Sequence, residues 1–230
     1  MMAVDRKKFR RFTFAEYVEY LKPYVSKVKF SQVHVHGTWK PTIADYYKAT
    51  DKMKIIQAMW RFHTITQKWG DIAQHATIDP DGFIWEGRSL LTPPASSVGY
   101  NDPDEDRIHP FMFEMIGNFD VGAEKLEGAQ LATAVKLTSL ILTMWNLTDD
   151  QIKFHREMNP AKTCPGSSVS KAPFVELVRN WRNAAMSPDD ANKIIATWLS
   201  PAWFAAGTKA ERDEIHRLAN ELRKASGQLE

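Results

Sequence analysis

Alternation and helical spacing divide the chain into segments. Phe14, Tyr17, Val18 and Leu21 recur at helical intervals, so 13–22 reads as a short amphipathic helix that ends before Pro23. Residues 28–36, VKFSQVHVH, alternate and are β-branched, which predicts a strand. A turn follows from Gly37 to Thr42, and Ile55, Met59, Phe62 and Ile65 predict a helix over 51–68. Residues 72–88 read as a hairpin, IAQHATI and FIWEGR about the turn DPDG. A loop rich in Pro, Ser, Asp and Asn spans 89–109, and FMFEMIG at 111–117 reads as a buried strand. Leu126, Leu131, Val135, Leu142 and Trp145 predict a long helix over 123–146. A turn of helix at 148–151, a final strand at 152–155 and a helix from Pro173 to Trp181 complete an α/β body. From 187 the strand pattern stops. SPDDANKIIATWL opens with an N-cap Ser and Pro at N1, and a second helix is expected near 208–225. The expected organisation is a body at 1–186 and a small helical appendage at 187–230.

Composition narrows the classes. With 230 residues, 43% hydrophobic and a formal net charge of +2, the chain is neither disordered nor marked by a nucleic-acid footprint. The longest apolar stretch, near 139–145, is too short to cross a bilayer, so no membrane insertion is expected. The N-terminus, MMAVDRKKFRRF, is basic without an apolar core and does not read as a secretory signal. Residues 1–27 hold seven Lys/Arg against three Asp/Glu, either a solvated face or an attraction to an anionic polymer. The appendage holds six Lys/Arg and seven Asp/Glu, and therefore has no basic stripe.

Candidate chemistry centres on His and Cys. Period two places His34 and His36 on one face of their strand. His155 and the single cysteine, Cys164, lie nine residues apart across a Pro-containing loop. Imidazole and thiolate are zinc ligands, although a strand histidine is commonly a packing residue and a lone cysteine a small buried apolar one. Glu114 stands inside the apolar run FMFEMI, where a carboxylate is costly to bury without a purpose. A surface position at a sheet edge is the alternative.

The pieces occur in an order that carries a resemblance. They are V-H-G-T-W-K-P at 35–41, R-F-H at 61–63, W-G-D-I-A-Q-H at 69–75 and D-P-D-G-F-I-W-E-G-R at 79–88, then G-Y-N at 99–101, E-M-I-G-N-F-D at 114–120 and H-x8-C-P-G at 155–166. From about Lys29 to Trp181 the chain resembles the type-2 N-acetylmuramoyl-L-alanine amidases, the zinc family that includes peptidoglycan recognition proteins and many phage endolysins. The resemblance implies a mixed central β-sheet flanked by helices, with Zn2+ held by His36, His155 and Cys164. It selects His36 over His34 because Gly37 and Thr38 follow; His34 is left a supporting hydrogen bond. Gln74 stands where many members have Tyr, and cannot act as a base. Glu114 falls on the family's strand glutamate and is the expected general base, with Lys162 as oxyanion stabiliser. Trp39, Trp85, Asn101 and His109 are candidates for lining the substrate groove or, equally, for packing. His63, His75, Asp71 and Arg88 are expected to be structural.

The implied function is hydrolysis of the amide between N-acetylmuramic acid and L-alanine in peptidoglycan, by a monomer without nucleic acid. Alternatives are a non-catalytic peptidoglycan binder, or another zinc peptidase of the wall. Synthesis in the cytoplasm and action on the wall, through phage-type lysis or non-classical export, fit this reading. A recycling role inside the cell is the rival setting. The appendage is expected either to pack or to bind wall.

Overall fold

The computed structural model describes residues 7–184, 188–226 and 228. The expected boundary at 186 and the cap Ser187 lie outside the described residues. By spatial clustering the chain divides into two compact units, 1–179 and 180–230.

The first unit begins with a two-residue strand, β1 (Arg11–Phe12), absent from the expectations because two residues hold no period. Helix α1 (Phe14–Leu21) follows, closed by a capping box between Thr13 and Glu16. Strand β2 (Lys29–Gly37) leads to the short helix α2 (Ile43–Lys48), which periodicity also missed. Helix α3 (Lys52–Arg61) runs on into a wider turn at Phe62–Thr66, together covering the expected 51–68 helix. The hairpin is β3 (Ala76–Ile78) and β4 (Ile84–Glu86), and β5 (Ile108–Met115) follows the long loop. Helix α4 (Gly128–Met144) starts later than the apolar spacing suggested, since Glu127 is extended and Gly128 has a left-handed φ of 59°. Strand β6 (Ile152–Phe154), the four-residue α5 (His155–Met158) and the part of α6 (Lys171–Ala184) up to Arg179 end the first unit.

Among the described residues the sheet has the order β1-β4-β3-β5-β2-β6. Strands β3, β5, β2 and β6 are mutually parallel, and β4 and β1 add antiparallel at one edge. This is the mixed sheet flanked by helices that the sequence implied. Period two separates its faces. Val33, Val35, Phe111, Phe113, Ala76, Ile78 and Ile84 share the main core with Tyr17 and Leu21 of α1, Leu137 and Ile141 of α4, and Phe174 and Val178 of α6. Trp85, Ile116 and Ile72 join a second cluster with Tyr46 of α2 and Ile56 and Met59 of α3. His34, His36, Met112, Glu114 and Thr77 stand at the alternate strand positions, opposite in direction to the main core.

The second unit holds α7 (Pro188–Ile194), a wider turn at Ile195–Leu199, α8 (Ser200–Ala205) and α9 (Lys209–Ala225), the last closed by a Thr208–Glu211 capping box. Trp203 and Phe204 meet edge to face at 5.2 Å, and Arg212 lies over the Trp203 ring. Trp198 and Phe204 are 70% and 79% exposed. No helix among the described residues is long and apolar enough to cross a membrane.

Candidate functional site

Ligand sites in parallel sheets form beyond the carboxyl ends of the strands, where side chains from neighbouring strands converge. His36 is the penultimate residue of β2, Glu114 lies at the end of β5, and His155 directly follows β6. Register places His36 opposite Glu114 and Glu114 opposite Thr77, so one row crosses three strands. The loop after α5 then brings Cys164 back onto β2. Its Sγ accepts the Gly37 N–H at 3.3 Å and lies 3.6 Å from His36 Nδ1. The rings of His36 and His155 are 4.5 Å apart, and one donor atom from each of His36, His155 and Cys164 lies within 4.8 Å of the others.

The chemistry of this donor set fits a borderline-soft divalent cation such as zinc: two imidazoles, one sulfur and an open side facing a groove. Burial, then His155, holds the His36 imidazole well below its ordinary pKa, and burial with Lys162 lowers His155. Both therefore keep a free lone pair at neutral pH. Burial pushes the Cys164 thiol up to about 12, opposed by the Gly37 N–H. A bound cation reverses that balance, since a coordinating thiol is deprotonated outright. With Nδ1 turned to Cys164, His36 presents Nε2 to Ser97 Oγ, 3.4 Å away. Such an outer partner fixes the ring and its tautomer. Ser97 in turn donates its backbone N–H to Asn101 Oδ1 at 3.1 Å. Part of the long 89–107 loop is thus a brace for His36, a role no spacing in the sequence signalled.

Glu114 is 8% exposed, and burial raises its pKa to about 7. Across the row, Gln74 Nε2 donates to Thr77 Oγ1 at 2.7 Å, a neutral contact without a proton acceptor for catalysis. The raised value has a consequence for stability. Below the ordinary value of 4.5 both folded and unfolded chains hold the proton. Between there and about 7 only the unfolded chain releases it, so the metal-free fold loses stability as pH rises through that window. At 1.36 kcal/mol per pKa unit the loss is about 3 kcal/mol. Glu114→Gln is therefore expected to match the wild type below pH 4.5 and exceed it by about that amount at pH 8, in zinc-free urea titrations. A difference that stays flat with pH refutes this environment for Glu114; the buried histidines titrate equally in both proteins.

The groove over the donor set has a volume of about 500 Å³, with Trp39, Phe62, Trp69, Glu114, Lys162 and Asp120 among its walls. A second cavity of about 570 Å³ shares Thr38, Phe62, His63 and Glu114 with it, and a third of about 370 Å³ shares Trp69, His155 and Lys162. The three make one extended channel past the donors. Trp39, 61% exposed with a left-handed φ of 58°, forms part of its rim. Phe62, Trp69 and Ser96 line it without having been singled out from the sequence. The W-G-D-I-A-Q-H motif contained Trp69, but its position in a motif did not show which way it faced.

Of the four residues that could line the groove or pack, three do not reach the channel. Trp85 is 3% exposed; its Nε1 donates to buried Asp79 at 2.8 Å under α2 and α3. It shares the row with Glu114 through Thr77, but lies two strands away, about 10 Å. His109 is 1% exposed against Phe30 and His75, at the opposite end of β5 from Glu114. Five residues of strand put about 16 Å between them. Asn101 acts through Ser97, as described. His34 faces the same way as His36 but bonds Gln32 Oε1 at 2.9 Å and stays outside the donor group. Burial, before His155 and Lys153, lowers its pKa to about 3. His75 bonds the Thr92 carbonyl and receives the Met112 N–H, and Arg88 donates to the carbonyls of Ile72, Trp69 and Pro93, so both are structural. Asp71 pairs with Lys7. His63 receives the Ala73 N–H while also lining the channel.

One glycine is required here by close approach. A Cβ on Gly37 would lie 2.3 Å from the Pro165 carbonyl oxygen, a backbone atom of the Cys164 loop. Gly37→Ala is expected to push that loop off β2, lowering stability by about 1–3 kcal/mol and zinc retention after dialysis. Full zinc content with an unchanged melting temperature would contradict the packing.

A family model described as N-acetylmuramoyl-L-alanine amidase matches residues 26–167. A human protein named N-acetylmuramoyl-L-alanine amidase is 24% identical over 177 residues, covering 75% of this chain; the chain spans only 28% of that relative's length. Among solved structures, Drosophila PGRP-LB superposes with a TM-score of 0.50 at 24% identity, over 61% of this chain and 79% of its own. The ectodomain complex of peptidoglycan recognition proteins LCa and LCx bound to tracheal cytotoxin gives 0.51 at 20% identity, over 64% and 81%. These structural likenesses concern the fold.

Proposed function

The chain belongs to the N-acetylmuramoyl-L-alanine amidase family, and from that premise we propose that it is a zinc hydrolase cleaving the amide between N-acetylmuramic acid and L-alanine in peptidoglycan. The observation that carries this reading is the convergence of His36, His155 and Cys164 within 4.8 Å, beside buried Glu114, on the floor of a channel.

Zinc held by those three residues would supply a Lewis acid for the substrate carbonyl and a water acidified toward neutrality. The chain's own groups do the rest. Glu114, with a pKa raised to about 7, is suited to take a proton near neutral pH and to give it back. It accepts the proton of the attacking water and returns it to the nitrogen of the departing L-alanine. The Lys162 ammonium, on the channel wall, offsets the negative charge that develops on the carbonyl oxygen. Trp39, Phe62 and Trp69 offer apolar faces against which sugar rings and the lactyl group can pack.

Mass spectrometry of digested wall tests the reading. Free stem peptides beginning with L-alanine are expected. Shortened stems would instead make the protein a wall peptidase, and an unchanged wall a peptidoglycan binder. The binder reading has one support, the recognition proteins among the structural relatives; the assembled donor set and Glu114 favour catalysis. Action on the wall after phage-type release fits this activity.

The second unit, 180–230, is proposed as a wall-targeting module. Its support is the exposure of Trp198 and Phe204, flat rings able to stack on sugars. The double variant Trp198→Ala/Phe204→Ala is expected to lose at least about tenfold in wall pull-down while keeping activity on soluble fragments, if each ring contributes about 1 kcal/mol. Unchanged pull-down would remove the targeting role.

A further inference from the structure

The two donors His155 and Cys164 are separated by eight residues, and most of that loop lacks regular structure. Arg156, next to His155 on α5, bridges the gap. Its backbone N–H donates to the Cys164 carbonyl at 3.0 Å. Its Nη1 donates to the Gly166 carbonyl at 2.8 Å and to the Thr163 carbonyl at 3.3 Å, and its Nη2 to the Val169 carbonyl at 2.5 Å. The guanidinium also lies 5.0 Å from the centroid of the Phe154 ring, the last residue of β6. One side chain thus holds carbonyls on both sides of Cys164 from the residue adjoining His155.

We propose that Arg156 is a positioning residue for the metal centre: its guanidinium clamps the Cys164 loop and sets the sulfur at binding distance from His155. The inference rests on the zinc reading of the site. A planar fork with five donors can serve three carbonyls at once, whereas the single ammonium of lysine cannot span them. Other contacts hold the loop to the rest of the body, such as Gly37 N–H of β2 to Cys164 Sγ and Ser168 Oγ to the Phe119 carbonyl in the loop after β5. These keep the loop folded when Arg156 is substituted, and the backbone bond from residue 156 to the Cys164 carbonyl stays; what is lost is the three guanidinium bonds that fix Thr163, Gly166 and Val169 to the segment that carries His155. Without the clamp the loop samples positions in which Sγ is displaced, and metal binding must order it again.

The test is zinc affinity measured on zinc-free protein by competition with a chromophoric chelator, alongside its thermal midpoint. Arg156→Ala is expected to weaken zinc binding about ten- to a hundredfold, the range for partners that orient metal ligands. Arg156→Lys should recover only part of the loss. Arg179→Ala, removing an arginine bonded to Asp149, serves as control and should bind zinc as the wild type does. A role in folding alone would lower the midpoint and leave the affinity of the folded fraction unchanged. Affinity of Arg156→Ala within twofold of the wild type overturns the proposal. Should the alanine variant fail to fold, Arg156→Lys decides: weakened affinity supports the clamp and wild-type affinity overturns it. A wild type that binds no zinc overturns the reading of the site, and this inference falls with it.

Discussion

Cys164→Ser is expected to lose zinc at neutral pH and, with it, release of new amino groups from purified wall. A serine hydroxyl stays protonated where a thiol is deprotonated by the metal, and it is a poor partner for a borderline-soft ion. Removing a partner that merely orients a ligand costs about ten- to a hundredfold in affinity, so loss of a ligand itself should exceed about a hundredfold. The Gly37 N–H that now points at Sγ would be left with a shorter side chain. Cys164→Asp should regain part of the zinc, because a carboxylate is also a zinc ligand. Zinc per chain after dialysis and wall hydrolysis must be measured together. Full zinc and full activity in Cys164→Ser would sink the site, since no other cysteine exists to replace it.

Glu114→Ala is expected to separate binding from chemistry. It removes the proton carrier and leaves His36, His155 and Cys164 in place, so zinc content should stay near the wild-type level. Positioned acid–base groups contribute about 10²–10⁴-fold, and kcat should fall by that much with little change in KM. The fall belongs in kcat because the proton moves in the transition state, whereas binding rests on the channel walls. Near-wild-type turnover would assign the base elsewhere. Gln74 could not replace it, having no basic atom and already donating to Thr77.

These two expectations draw on different layers of information. The order of strands and helices was legible because each long element has its own period. Strand β2 alternates, α3 repeats at helical spacing, and the β3–β4 hairpin has the turn DPDG between its strands. The elements that went unread, β1, α2, α5 and α8, are two, six, four and six residues long, too short for a period to show. The donor residues were legible through motif order, not through spacing: His36 and Cys164 are far apart in the chain and meet only because β6 pairs with β2.

What the sequence determined by itself is local: which residues alternate, where turns fall, and which side chains are able to hold a metal or move a proton. The tertiary structure decided which of them reach the channel. Strand register put Trp85 on the row of Glu114 but two strands away, and α2 and α3 covered it. His109 shares a strand with Glu114, yet stands at the end remote from the donors. Asn101, Ser97 and Arg156 acquired their roles from hydrogen bonds to groups brought near by folding. Face is a property of neighbouring residues in the chain. Position along the sheet, and cover by other elements, depend on strand pairing and packing between distant segments, which no local pattern encodes.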